Sequence, residues 1–321
     1  MSAPISSVSA SHASGVFTKQ TMNRGQPTTI RCIEIGGQVY AISKGPLTVV
    51  SLEDDWFEDV TNPDTVIATL REGVDVKPDL FTFWQRLPDV EPKHAFYVEW
   101  DQLAVLPIRS YEHWWNHQIK SRVRNQIRKS EKAGLVVREV AYDNHFVQGM
   151  TTIFNETPVR QDRPFWHWGK DFDTVKTQFS RNVHREDLIG AYYKGEMIGF
   201  IMMGNAGRYG VTTQIISSIR HRDKAISSAM IAKAVELCER RRLDHLVYLF
   251  WNDGSLAEFK RRCGFEMIRV PRYFVPLTQR GVLALRFGFH RGWKEVLPAK
   301  LKNSLKALRG RWQSAGSPFY S

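Results

Sequence analysis

The segment Ile219-Arg220-His221-Arg222-Asp223-Lys224-Ala225-Ile226-Ser227-Ser228-Ala229-Met230 joins a run that reads as a strand, Gly210–Ser217, to one that reads as a long helix, Ile226–Arg241. The first backbone N–H groups of a helix have no partner within it, and the positive end of the helix dipole lies there. A pyrophosphate fits such a start, with Arg222 and Lys224 adding charge. Small residues at Ala225, Ser227 and Ser228 let phosphates approach the backbone. A basic helix start of no function has the same composition, so the weight of the segment depends on its surroundings.

Those surroundings are regular. Leu188–Lys194 and Glu196–Gly204 read as strands joined by a turn at Lys194-Gly195. After the long helix, with Ile226, Met230, Ala234 and Leu237 on one face, come a buried strand Asp244–Leu249, a helix Ser255–Cys263 closed by Gly264, and a last strand Glu266–Val275. The order β-β-β-α-β-α-β predicts a mixed sheet with flanking helices, an α/β or α+β fold. Upstream, Ile30–Ile35 and Gln38–Ile42 form a hairpin signal around Gly36-Gly37, and Asn62-Pro63 opens a helix to Leu70. Phe81–Gln85, Ala95–Glu99 and Val105–Ile108 read as strands. Tyr111–Ala133 reads as one helix, because Trp115, Ile119, Val123 and Ile127 recur at every fourth position before Gly134. Leu135–Val140 reads as a strand, and Phe146–Glu156 and Asp171–Arg181 read as helices. The chain thus divides into a flexible arm (1–27), an N-terminal half (28–185), a C-terminal unit (186–279) and a basic tail (280–321).

Segment 222–227 resembles the acyl-CoA-binding turn of GNAT acyltransferases, Arg/Gln-x-x-Gly-x-Gly/Ala, with Ala225 and Ser227 at the glycine positions. Asn252 and the run Ala257-Glu258-Phe259-Lys260-Arg261-Arg262-Cys263-Gly264-Phe265-Glu266 resemble the end of that fold. Three features resemble the FemAB/FemX-like branch: the basic helix Lys120–Gly134, the Thr157–Arg160 segment, and Phe259-Lys260 leading to Gly264. Together these span about Tyr111 to Pro276. The resemblance implies a GNAT-like mixed sheet in two similar halves. It implies transfer of an acyl group from an acyl-CoA-type donor, or of an aminoacyl group from aminoacyl-tRNA, to an amine of a sugar, lipid or peptide precursor. Because both motif glycines are replaced, a catalytically inactive binding module is the third reading.

Direct attack of an amine on a thioester or ester needs both partners oriented, a proton removed and an oxyanion stabilised. Lys260 is the candidate for the donor phosphate or the oxyanion, and Glu156, Tyr209 and Asp253 are the candidates for the base. Arg222, Lys224, Ala225, Ser227, Ser228 and Asn252 form the expected donor site. Arg124, Arg128 and Lys129, with Arg160, are placed to line the entry of a phosphate-bearing substrate. Seven Lys and Arg between Lys120 and Arg138 face one acid, a pattern that a solvated helix face shares. His113 and His117 stand at metal-ligand spacing, but no third ligand is evident and the aromatic pair Trp114-Trp115 accounts for them, so no metal is expected.

The formal charge of +12 is concentrated late: nine Lys and Arg follow residue 279 against the single acid Glu295. Leu297, Leu301, Leu305, Leu308 and Trp312 mark one face of a helix expected over Ala299–Trp312, which suits an anionic membrane surface or, as the alternative, docking on the protein's own body. Three scattered cysteines and no long apolar run exclude a disulfide framework and a membrane span. The expected location is cytoplasmic, at the inner membrane face.

Overall fold

The computed structural model describes residues 15–23, 26–73, 75–161 and 163–291. Strands β1 (Phe17–Asn23), β2 (Gln26–Ile35), β3 (Gln38–Lys44) and β4 (Thr48–Leu52) precede helix α1 (Pro63–Glu72), strand β5 (Leu80–Trp84) and the long strand β6 (Tyr97–Pro107). A short helix α2 (Tyr111–His113) runs through a π-turn into α3 (Ser121–Lys132), followed by β7 (Val136–Val140) and α4 (Asn144–Phe154). The two-residue strands β8 (Val159–Arg160) and β9 (Arg163–Pro164) then lead to α5 (Phe172–Phe179). The C-terminal unit is β10 (Glu186–Tyr193), β11 (Glu196–Ala206), β12 (Tyr209–Ser217), α6 (Ile226–Arg240), β13 (His245–Phe250), α7 (Ser255–Arg262) and β14 (Glu266–Pro276), followed by α8 (Gln279–Phe287).

All strands but the β8–β9 pair join one mixed sheet, ordered β1-β2-β3-β4-β5-β14-β6-β13-β12-β11-β10-β7. Alternation along the strands puts Ile189, Ile198 and Ile201 under α3 and α6, while Leu188, Phe200 and Met202 pack on the opposite face under α4 and α5. At the other end of the sheet Val66, Ile67 and Leu70 of α1 cover β2–β5 and the end of β14. Helix α6 is apolar on most sides because it lies between the sheet and α3. Its start is pressed onto β11 at Gly199, where a Cβ would stand 2.6 Å from Ile226. That glycine sets the height of the α6 N-terminus above the sheet.

Four sequence expectations change. Residues 17–23 of the expected arm pair with β2 as a strand. The segments 95–99 and 105–108 belong to one strand, since β6 pairs with β14 without interruption from Tyr97 to Val105. The single helix 111–133 is broken: Trp114–Gln118 form a π-turn, and Ile119 and Lys120 are extended. The widened turn buries Trp114, whose indole N–H donates to the Cys263 carbonyl at 2.9 Å. Arg124 closes that turn, donating to the carbonyls of Trp115 and Ile119 at 2.8 and 2.6 Å. Finally, the segment assigned to a tail opens as α8, capped by Thr278 and packed on β14 through Ala284 and Leu285. The helix expected over 299–312 lies outside the described residues. No helix among the described residues is long and apolar enough to cross a membrane.

Candidate active site

Parallel pairing between β12 and β13 covers only Tyr209↔His245, Gly210↔Leu246 and Val211↔Val247. Beyond it the strands part. Leu249 takes a left-handed backbone (φ 46°), and Phe250 turns to pair with Leu103 of β6. The β13-facing edge of β12 is therefore open toward Ser217. A cleft of about 750 Å³ occupies the split, lined by Thr212–Ser217, Tyr248, Leu249, Phe259 and the Arg160–His167 loop. On its other edge β12 carries a bulge: Met202 opposes Gln214 and Met203 opposes Thr212, leaving Thr213 as the extra residue. Bulges of this kind re-aim a side chain and leave backbone groups unpaired, and they recur beside active sites.

Lys260 holds the split open. Its side chain is buried, and its ammonium donates to the carbonyls of Tyr248 and Phe250 (3.0 and 2.6 Å) and to Asn252 Oδ1 (3.1 Å), 4.4 Å from the centre of the Tyr248 ring. Those three bonds use all three protons. Burial pushes this amine down to about 8. The expected role in binding a phosphate or an oxyanion does not fit this geometry: Lys260 shapes the strand end, and Asn252 is its partner.

The second part of the site is the start of α6. Ala225 adopts a left-handed conformation (φ 46°, ψ 33°), and no side chain caps the helix. A cleft of about 420 Å³ opens on this turn, lined by Arg222, Ala225, Ser227 and Ser228 with Gln126 and Lys129 of α3. Arg222 and Lys129 are exposed, and neither has an ion-pair partner among the described residues. Lys224 turns away, against Asp223 (3.2 Å) and over the ring of Tyr193 (4.3 Å). Ser217, Ser227 and Phe259 line both clefts, so the two are continuous; the Ser217 and Ser227 hydroxyls lie 3.1 Å apart across the junction.

Glu156 supports this corner from beneath. Its carboxylate accepts from the Ser218 hydroxyl (2.6 Å) and the Ile219 N–H (2.7 Å), with Arg160 and Arg220 each 3.7 Å away. Both oxygens thus fix the loop that leads into α6, a clamp in place of the expected base. Arg160 donates to the carbonyls of Ser217 (2.8 Å) and Ile153 (3.1 Å) and lies 4.8 Å from the Phe165 ring. Burial and the neighbouring Arg222 push its guanidinium down, while Glu156 pulls it up. His167 sits on the cleft wall, stacked on Phe154 at 4.2 Å. Burial first, then Lys170 and Arg160, hold it down at about 3, so it is a neutral imidazole.

The remaining expected residues lie elsewhere. Tyr209 is at the closed end of β12, roughly 25 Å of strand from Ser217. Its hydroxyl accepts from Arg86 at 2.7 Å, and burial raises it. Asp253 is exposed outside both clefts. Arg124 is committed to the π-turn, and Arg128 stacks on Trp115 at 5.4 Å; of the three basic residues expected from α3, Lys129 alone lines the cleft. Sequence reading missed Gln126, His167, the bulged Thr213 and Glu186. Glu186 is half-buried at the start of β10 and accepts from the Thr213 hydroxyl at 2.6 Å. Alternation along a strand gives no sign of a bulge, and a lone glutamate at a strand end carries no motif.

Residues 147–265 match the model of the acetyltransferase (GNAT) family. Solved structures with a similar fold include FemX (TM-score 0.55, 11% identity, covering 85% of this chain and 90% of that one). The chain has the fold of FemX, and its residues 147–265 fit the GNAT family. The same fold is shared with the L-PGS of Bacillus licheniformis (TM-score 0.53, 12% identity, 80% and 88% covered). It is shared too with the C-terminal domain of an Agrobacterium fabrum protein assigned as a lysylphosphatidylglycerol synthetase (TM-score 0.53, 11% identity, 77% and 84% covered). No curated protein matches the sequence.

Proposed function

We propose that the protein is an N-acyltransferase that moves an acyl group from a phosphate-bearing donor, of acyl-CoA type, to a primary amine. The observation that carries this reading is the continuity of two features. The uncapped, cation-flanked start of α6 opens through Ser217 and Ser227 into the split between β12 and β13. Phosphates would lie on the first-turn amides of α6, with Arg222 and Lys129 adjacent. The donor's amide-bearing arm would pair with the open edge of β12 as an added strand does. The carbonyl carbon would then stand near the Thr213 bulge.

One observation favours a second donor class. The contact between Ser217 and Ser227 narrows the passage that a pantetheine-like arm would take, and Ala225 and Ser227 crowd a turn that the GNAT pattern keeps as glycine. An aminoacyl-tRNA, whose bulk stays outside on the basic α3, asks less of that passage. Transfer of a lysyl group to a lipid, as the name of one structural neighbour, a lysylphosphatidylglycerol synthetase, describes, is the kind of reaction it would support. A mass-spectrometric screen of acetyl- and longer acyl-CoAs and of charged tRNA, with amino-sugar and peptide amines as acceptors, separates the two donors. Arg222→Ala with Lys129→Ala is expected to raise the donor KM at least tenfold. Turnover from neither donor class would leave an inactive binding module.

We also propose that the basic C-terminal segment holds the enzyme on anionic lipid. Val282, Leu283 and Phe287 of α8, which precedes that segment, are exposed apolar side chains that suit the same contact. Sedimentation with phosphatidylglycerol vesicles, lost on removal of residues 292–321, is the expected result; equal sedimentation of the shortened chain would refute it.

A further inference from the structure

A third cleft, of about 650 Å³, opens between β1, the end of α5 and the sheet. Thr213 and Gln214 line both this cleft and the one in the β12–β13 split, so the two meet at the bulge. Its chemistry differs from that of the donor side. The cations here are neutralised: Lys19 pairs with Glu53 (2.9 Å), and Arg181 pairs with Glu53 (2.8 Å) and Asp54 (2.9 Å). The other polar groups are amides and hydroxyls, among them Gln20, Thr21, Gln178 and Asn182. Such a wall suits an uncharged, hydrogen-bonding body and not a phosphate.

One carboxylate on the wall has no ion-pair partner among the described residues. Glu186 accepts from the Thr213 hydroxyl on one oxygen and lines the cleft. Burial raises this carboxyl, and the Thr213 hydroxyl partly offsets the rise. The charged groups that share its cleft are Lys19 of β1 and Arg181 after α5, each paired with acids after β4 (Glu53, and for Arg181 also Asp54), and Tyr142 before α4 feels the Glu186 charge.

We propose that this cleft receives the acceptor, a primary amine on an uncharged hydrogen-bonding body, and that Glu186 takes the proton from its nitrogen. The inference rests on the acyltransferase reading above. The amine lone pair attacks the acyl carbonyl carbon, a C–N bond forms, and the carbonyl π electrons move to oxygen. Glu186 accepts the N–H proton. The tetrahedral adduct collapses, the C–S or C–O bond to the donor breaks, and the leaving thiolate or alkoxide takes the proton back from Glu186.

Two measurements on the full chain test it. Saturation-transfer NMR with glucosamine and N-acetyl-alanyl-lysine amide, against glucose and N-acetyl-alanyl-norleucine amide, reads acceptor binding without any donor. Both amines, or the one whose body fits, should bind wild type at least tenfold more tightly than E186Q, with the controls indifferent to the substitution. Equal binding to both proteins, or none to wild type, overturns the site. With a working donor, E186Q should lose at least a hundredfold in kcat with donor KM unchanged, and should lose the acid limb of its pH profile; E186D should fall between. Full turnover in E186Q sinks the base while leaving the transferase standing. Amine binding that needs Glu186, in a protein that transfers nothing, sinks the transferase and the base together. Should E186Q unfold, E186D and Thr213→Val carry the same comparison.

Discussion

At position 260 the lysine is 1% exposed, and its three protons meet two main-chain carbonyls and an amide oxygen. Removing it leaves buried acceptors unpaired, so Lys260→Ala should lower stability by about 2–3 kcal/mol in urea unfolding. It should also reduce transfer, through loss of the strand geometry. The pH dependence separates this role from a catalytic one. The amine is pushed from 10.5 to about 8 in the fold, so between those values the unfolded chain binds more protons than the native one. Stability contributed by this group therefore rises with pH through that window, and the burial penalty is fully felt below it. Wild type should gain stability relative to Lys260→Met from pH 8 to 10.5; a constant difference would show that the ammonium is not strained. The family motif made Lys260 legible in the sequence, but its role was not, because the carbonyls it grips belong to a strand distortion at Leu249 that no pattern of residue types announces.

Among the elements, α6 governs the site, and its start carries a local cost. Ala225 holds a left-handed backbone that glycine adopts freely. Ala225→Gly should therefore stabilise the protein by about 1 kcal/mol, seen as a higher Tm, without loss of donor affinity. A lower Tm would mean that the alanine methyl packs usefully against the turn. The elements from β10 to β14 were legible to within about two residues, since each is bounded by a turn signal, although the bulges in β10–β12 were not. Helix α3 was legible in phase, with Val123 and Ile127 buried as expected, but not in orientation. Both flanks of its apolar stripe are basic, and only tertiary packing decides that Gln126 and Lys129 face α6 while Arg128 faces Trp115. The π-turn before it was invisible for a related reason: its cause is the hydrogen bond from Trp114 to Cys263, far away in sequence.

Across the whole molecule the two halves share one sheet, and this has a thermodynamic consequence. Strand β6 comes from the first half of the chain, yet it lies between β13 and β14 of the second, pairing with β14 over nine residues and with β13 over four. In the other direction β14 completes the first half by pairing with β5. Arg181 and Arg185, which precede β10, bind Glu53, Asp54 and Glu58 after β4. A boundary drawn at residue 186 therefore cuts through a core. Without β6, the β13–β14 gap would expose the faces that Leu103, Val105 and Leu106 now cover, and β12–β13 pairing is too short to hold the sheet alone. Residues 186–321 expressed alone should be unfolded or aggregated by circular dichroism and gel filtration. In the full chain, hydrogen exchange in urea should show amides of β3–β5 and of β10–β12 opening together, with equal free energies and equal dependence on denaturant. Exchange of the β3–β5 amides through an opening at least 2 kcal/mol cheaper, with β10–β12 still protected, would show instead that the second half stands by itself and merely borrows a strand.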